Sequence, residues 1–258
     1  MNKLHFKFQK EEKISINTKI YPFLNDHCIF PNKPVIPIAF IISWIINVSK
    51  KHLPKGMLCI INDFKVFKSG SINEAQTLNY TLGINITDNK LNIIILNENV
   101  PCYGCRVRFE KPQEIIENNI KKPLRFEKTF NDKSIIYSIN SVFHGESFQV
   151  IGEARYGERF IEIDVISKNI FGPELNLDLS VLDSIFQSCG ALMGAMKGVK
   201  IIPMESYEII FFNNITKEKN KLHTTLIKEK NNNYFFNANL VHDDLVIIAK
   251  NIKCVKYG

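Results

Sequence analysis

The sequence predicts an α+β fold in which two antiparallel sheets each wrap round one central helix. Three observations carry this. The run IPIAFIISWIINV is apolar on nearly every side over 38–48, so a helix built from it must be buried on most of its faces. A second helical run, LSVLDSIFQSCGALMGAMKG, begins at Leu179 and places Val181, Leu182, Ile185, Phe186, Leu192 and Met193 at helical spacing. About four strand-like runs follow each helix, so one plan repeats at roughly half the chain length.

Taken in order, MNKLHFKFQKEEK alternates apolar and polar residues and lacks the apolar stretch of a signal peptide. After the first helix, MLCIINDFKVF, QTLNYTLGINITD, KLNIIILNE and CYGCRVRFE are short β-branched or aromatic runs, divided by Gly, Asn, Asp or Pro. KPQEIIENNIKKPLRFEK (111–128) is charged, carries two prolines and reads as a linker, which sets the halves at 1–115 and 116–258. SIIYSINSVF, SFQVIGEARYG and RFIEIDVIS are again strand-like. Gly190 and Gly194 weaken the second helix without breaking its period. YEIIFFNN, KLHTTLIKE, YFFNANLV and LVIIAKNIKCVK close the chain as strands.

Composition narrows the function. The 258 residues suffice for one large domain or two tightly joined small ones. The longest apolar run, Val35 to Val48, is shorter than the roughly 20 residues that span a bilayer, so a soluble protein is expected. The net charge is +7, yet no lysine or arginine cluster is interleaved with aromatics, which excludes an ordinary nucleic-acid surface. A small acidic protein partner fits that charge equally well. Six scattered cysteines read as free thiols in a reducing cytoplasm. The CYGC pair has no second pair to complete four ligands, so no metal is expected.

Three groups suit proton chemistry. Asp183 and Gln187 stand four apart and share a helix face inside an apolar stretch. Burial there raises a carboxyl pKa and makes Asp183 a proton donor near neutral pH, with Gln187 holding it; the alternative is that both face solvent at the helix edge. His27, in LNDHCIFPNKPVIP just before the first helix, suits a general base; the alternative, which the local pattern favours, is a surface turn leading into that buried helix. His144 stands at a strand end beside a glycine in FHGESFQ, a place more often structural than catalytic, whereas His5, His52, His223 and His242 read as ordinary surface residues.

Together these segments resemble one family. YPFLNDHCIFPNKPVIP resembles the catalytic-histidine motif of polyketide synthase dehydratase domains, His-x3-Gly-x4-Pro, and LDSIFQ their Asp-x3-Gln helix motif. VFHGESFQVIGEARYG is similar to the strand segment opening the second half of those domains, and CYGCRVRFE and ANLVHDDLVIIAKNIKCV fall at the last strand of each half. The chain departs from the pattern at Pro31, at Pro37 one residue late, at Ile38 in place of a glycine, at Asp178-Leu179 in place of His-Pro, and at His144 where a tyrosine is usual.

The resemblance implies a double hotdog fold and dehydration of a β-hydroxyacyl thioester carried by an acyl carrier protein. In it His27 removes the α-proton, Asp183 protonates the leaving hydroxyl and Gln187 positions Asp183, while Pro37, Ile38, His144, Gly145 and Phe148 contact the substrate. No metal or organic cofactor is needed. A synthase complex and a homodimer are compatible with the resemblance. The alternatives are a non-catalytic double-hotdog subunit, or an isomerase, cyclase or thioesterase on the same fold.

Overall fold

The computed structural model describes residues 6–30, 33–54, 57–72, 77–88, 90–111, 126–131, 136–137, 143–172, 177–212, 219–242 and 245–257. Residues 112–125 of the expected linker 111–128, with the boundary at 115/116, lie outside the described residues, as does Pro31; the linker's last residue, Lys128, already opens a strand.

The first half contributes β1 (Lys10–Ile16), β2 (His27–Phe30), β3 (Lys33–Pro34), helix α1 (Ile38–Lys50), β4 (Leu58–Val66), β5 (Leu78–Thr87), β6 (Lys90–Asn97) and β7 (Val100–Glu110). The second contributes β8 (Lys128–Phe130), β9 (Phe143–His144), β10 (Ile151–Gly157), β11 (Phe160–Ile166), helix α2 (Leu179–Lys197), β12 (Ile201–Phe211), β13 (Lys219–Lys230), β14 (Asn233–Val241) and β15 (Leu245–Lys256). Alternation along the strands turns one face to the helices: Leu78, Tyr80, Leu82 and Ile84 of β5 are all buried, as are Leu222, Thr224 and Leu226 of β13. Two-residue turns with positive φ, Glu98–Asn99 and Asn231–Asn232, join β6 to β7 and β13 to β14, matching the twist of tight hairpins.

Two separate sheets were expected, but the strands form one twelve-stranded antiparallel sheet, in the order β1-β5-β6-β7-β4-β12-β15-β14-β13-β11-β10-β8. The halves merge because β4 and β12, each the first long strand after its helix, pair edge to edge, with Ile61 opposite Ile209 and Ile60 opposite Ile210. That pairing satisfies two rows of backbone groups that would otherwise stand open at sheet edges. A separate three-stranded sheet, β3-β2-β9, links the halves a second time.

Beside the seam, Glu208 accepts hydrogen bonds of 2.7 Å from both Arg108 and Lys250. Burial pushes its carboxyl up, and is the largest single influence; the two cations together outweigh it and hold the group below the usual glutamate range. The stabilisation is therefore complete above the unfolded value of about 4.3 and is lost as pH falls through the lower folded-state value. Replacing Glu208 with glutamine is expected to lower the Tm at neutral pH, and to lower it progressively less as pH falls below about 4.3 and through the lower folded-state value. An equal loss across that pH range would mean that packing rather than charge holds the seam.

Helix α2 is capped by buried Asp178, whose carboxylate accepts from Ser180 N at 2.8 Å and from Asn169 N at 3.1 Å, a device worth about 1 kcal/mol. Gly198 ends the helix at φ 64°, the left-handed conformation that glycine adopts freely. By length and composition α2 is apolar enough to cross a membrane, but 83% of its apolar window is buried in the core. That burial accounts for its composition.

Two local expectations are corrected. His223 is buried, not at the surface, because the outward side of β13 meets Glu162 of β11, whose carboxylate lies 3.3 Å from its Nδ1. Among the described residues of the expected strand 134–143, residues 136–137 are helical and Phe143 is extended. Tyr137 there is fastened through its hydroxyl, which accepts from Ile151 N at 3.0 Å, rather than through a strand ladder. All six cysteines are buried free thiols, and burial pushes that of Cys59 up to about 12.

Candidate active site

His27 opens β2 directly after a 3-10 turn, Pro22–Asp26. Strand β2 pairs with β9 so that His27 lies opposite His144. The neighbouring Asp26 does not bind His27. Its main-chain carbonyl accepts from Gly145 N at 2.7 Å, and its carboxylate accepts from Ser147 N at 3.1 Å and from the Ser147 hydroxyl. A Cβ at position 145 would collide with the Asp26 side chain, so the close approach requires glycine there. Asp26 thus clasps the two halves and fixes where His27 points. Its replacement by alanine is expected to leave the protein folded but to lower turnover by up to about 10²-fold, the cost of displacing a catalytic group by an ångström or so. Unchanged turnover in a steady-state assay would show that β2 and β9 hold His27 without the clasp.

The His27 ring is oriented by its own loop. Nδ1 lies 3.2 Å from the Val35 carbonyl, which only accepts, so Nδ1 carries the hydrogen and Nε2 is left to face the site. The edge of the ring packs against Phe148, with centroids 5.1 Å apart.

Asp183 comes from α2 in the other half and is buried. Its Oδ1 is 3.6 Å from His27 Nε2, and its Oδ2 is 3.3 Å from His144 Nε2. Gln187, one turn on, donates to Asp183 Oδ2 at 2.9 Å and to the Phe148 carbonyl at 3.0 Å. Tyr137 in turn donates to Gln187 Oε1 at 3.2 Å. The sequence reading missed Tyr137, since SIIYSIN carries no motif that separates a supporting hydroxyl from a core aromatic.

The expected rise in the Asp183 pKa is overturned. Burial does push the carboxyl up, and is the largest single influence. Attraction to the His27 ring when it is protonated, hydrogen bonds from His144 and His27, and attraction to the His144 ring when it is protonated together outweigh it and hold the group well below the usual carboxylate range. The resting group is a carboxylate between two imidazoles.

All four of these side chains, His27, His144, Asp183 and Gln187, line a cavity of about 370 Å³. Its other walls are mainly apolar, among them Val35, Ile36, Ile38, Val66, Phe186 and Met204, with Lys68 and Ser69 also present. Of the expected substrate contacts, Ile38 and His144 line the cavity, while Pro37, Gly145 and Phe148 do not. Pro37 caps α1, Gly145 is turned against Asp26, and Phe148 is fully buried behind His27. Facing donor atoms of His27, His144 and Asp183 lie within 4.8 Å of one another, a set able to hold a metal ion.

No protein-family model matches the sequence, and no curated protein does either. Solved structures do match. The dehydratase domain from the CurJ module of the curacin polyketide synthase aligns over 97% of this chain and 96% of its own, at 16% identity and TM-score 0.81. The CurK dehydratase, as an inactive Asp-to-Asn variant, aligns over 100% of this chain and 97% of its own, at 15% identity and TM-score 0.82. An enoyl-isomerase of a trans-acyltransferase polyketide synthase aligns over 95% of this chain and 100% of its own, at 15% identity and TM-score 0.72. Across nearly its whole length the chain has the hotdog-type fold of polyketide synthase dehydratase domains.

Proposed function

We propose that the chain is a hydro-lyase that converts a β-hydroxyacyl thioester to the α,β-enoyl thioester. One observation carries this reading: His27 and Asp183, one from each half, stand 3.6 Å apart on the wall of a mainly apolar cavity. An elimination needs a base and an acid on one substrate, and an apolar slot suits an acyl chain. The solved CurK dehydratases include an inactive His-to-Phe variant and an inactive Asp-to-Asn variant, which supports giving the two roles to one histidine and one aspartate.

In the proposed reaction, neutral His27 takes the α-proton at Nε2 while Nδ1–H stays on the Val35 carbonyl. The electron pair of that C–H bond moves into the thioester as an enolate, and then forms the C=C bond as the Cβ–O bond breaks. The departing hydroxyl takes a proton and leaves as water. Because the resting Asp183 is ionised, that proton comes from the His144–Asp183 pair, with Asp183 bridging His144 Nε2 to the hydroxyl. Afterwards the proton on His27 returns to the pair through Asp183, whose two oxygens face the two rings. The N-terminus of α1, beginning at the cavity-lining Ile38, offers N–H groups and a positive dipole end to the thioester oxygen as enolate character develops.

The net charge of +7 supports an acidic acyl carrier protein as the donor of the thioester, in polyketide or related lipid synthesis in the cytoplasm. The halves 1–115 and 116–258 would each supply one reacting group. A shared cavity with both groups on its wall argues against a purely structural subunit. A second reading, double-bond isomerisation, is favoured by the enoyl-isomerase neighbour. Mass spectrometry of a 3-hydroxyacyl carrier-protein thioester incubated with the chain separates them: loss of one water supports dehydration. A 3-hydroxyacyl substrate left intact, with a shifted double bond on an enoyl substrate, would replace that reading with the isomerase.

A further inference from the structure

We infer that His27, His144 and Asp183 form a binding site for a divalent transition cation, zinc(II) foremost, and that the cation competes with the dehydration reaction for these three side chains. The effect on turnover rests on the proposed reaction; the binding does not.

The donor geometry is the first argument. Zinc holds imidazole nitrogens and carboxylate oxygens at about 2.0–2.2 Å, so ligand atoms round a tetrahedral ion stand roughly 3.4 Å apart. Here the separations from Asp183 are 3.6 Å to His27 Nε2 and 3.3 Å to His144 Nε2, and the facing donor atoms fall within 4.8 Å of one another. The two separations from Asp183 are about those that an ion between the groups requires.

The surroundings are the second argument. His27 Nδ1 is tied to the Val35 carbonyl, which turns the Nε2 lone pair to the site. Gln187 fixes the carboxylate by donating to Asp183 Oδ2 at 2.9 Å, and Tyr137 fixes Gln187. Partners of this kind orient ligands before the ion arrives. The side chains of His27, His144 and Asp183 are 11%, 1% and 4% exposed, so little rotamer freedom is left to lose. The adjoining cavity leaves room for a water as fourth ligand.

The donor chemistry sets the class of ion. Two imidazoles and one carboxylate suit zinc, iron(II), cobalt(II) or nickel(II). Magnesium and calcium need six or more oxygen donors and find one carboxylate here. With zinc on Nε2, His27 has no lone pair for the α-proton, and Asp183 and His144 hold no proton for the hydroxyl. Occupancy therefore stops the elimination without altering the fold.

The test is titration of the chelator-stripped full-length chain with cobalt(II) and zinc(II), without substrate. One ion per chain is expected, with the strong visible absorption of four-coordinate cobalt. His144→Ala and Asp183→Asn, each checked for folding by circular dichroism, should weaken binding by about tenfold or more, and His52→Ala should not. Binding that is absent, or unaffected by both site variants, overturns the site. In a dehydration assay, turnover should fall in proportion to zinc occupancy and return with chelator; full turnover at full occupancy overturns the competition. Cobalt binding in a chain that never dehydrates would instead remove the proposed reaction and leave the site standing.

Discussion

Replacing His27 with alanine is expected to lower turnover of a 3-hydroxyacyl thioester by about 10²–10⁴-fold, the usual contribution of a positioned general base. The loss should fall on kcat, because Ile38 and the apolar wall of the cavity, where the proposed acyl chain would lie, are left unchanged. Folding should survive. The segment is held by the β2–β9 pairing, by the Asp26 clasp to Gly145 and Ser147, and by the buried Leu24, none of which uses the imidazole. What alanine removes is one hydrogen bond to Val35, the edge packing on Phe148 and His144, and the contact with Asp183. A second readout makes the role specific: exchange of the substrate α-hydrogen with deuterated solvent should disappear along with turnover. A folded His27→Ala protein that still dehydrates would remove His27 from the chemistry and return it to a structural turn.

Much of the fold was legible because its causes are local. An all-round apolar run such as 38–48 can only be a buried helix, and period-two runs such as LNYTLGINIT can only be half-buried strands. The four-residue spacing of Asp183 and Gln187 likewise fixes a shared face whatever surrounds it. The failures concern partners that no local pattern names. The merger into one sheet depends on β4 meeting β12, and an edge strand carries no residue code for which edge it will find. His223 occupies a polar slot on KLHTTLIKE that reads as solvent-facing, until Glu162 arrives across the ladder to bury it.

The ionisation of Asp183 shows the same limit at the site. Its apolar helix context correctly announces burial, and burial alone raises a carboxyl pKa. The sign is reversed by His27 from one loop and His144 from another strand, each reaching a different oxygen of the same carboxylate. Where the proton rests is a property of three segments at once.

Substituting Asp183 with asparagine is expected to cost dehydration about as much, roughly 10²–10⁴-fold, but by a different route. The amide keeps the volume and can keep the bond from Gln187 Nε2, so the helix and the cavity wall stay in place. It cannot relay a proton, and it removes the negative charge that both imidazoles face. His27 retains its Nδ1 bond to Val35 and its free Nε2, so it still removes the α-proton. Asp183→Asn should therefore retain α-hydrogen exchange with deuterated solvent while failing to expel water, and His27→Ala should lose both. That contrast assigns base and acid even though the two side chains are only 3.6 Å apart, since a general disturbance of the site would abolish both readouts together. If Asp183→Asn also stops exchange, the carboxylate acts chiefly by setting the charge state of His27, and the proton for the hydroxyl must be sought on His144.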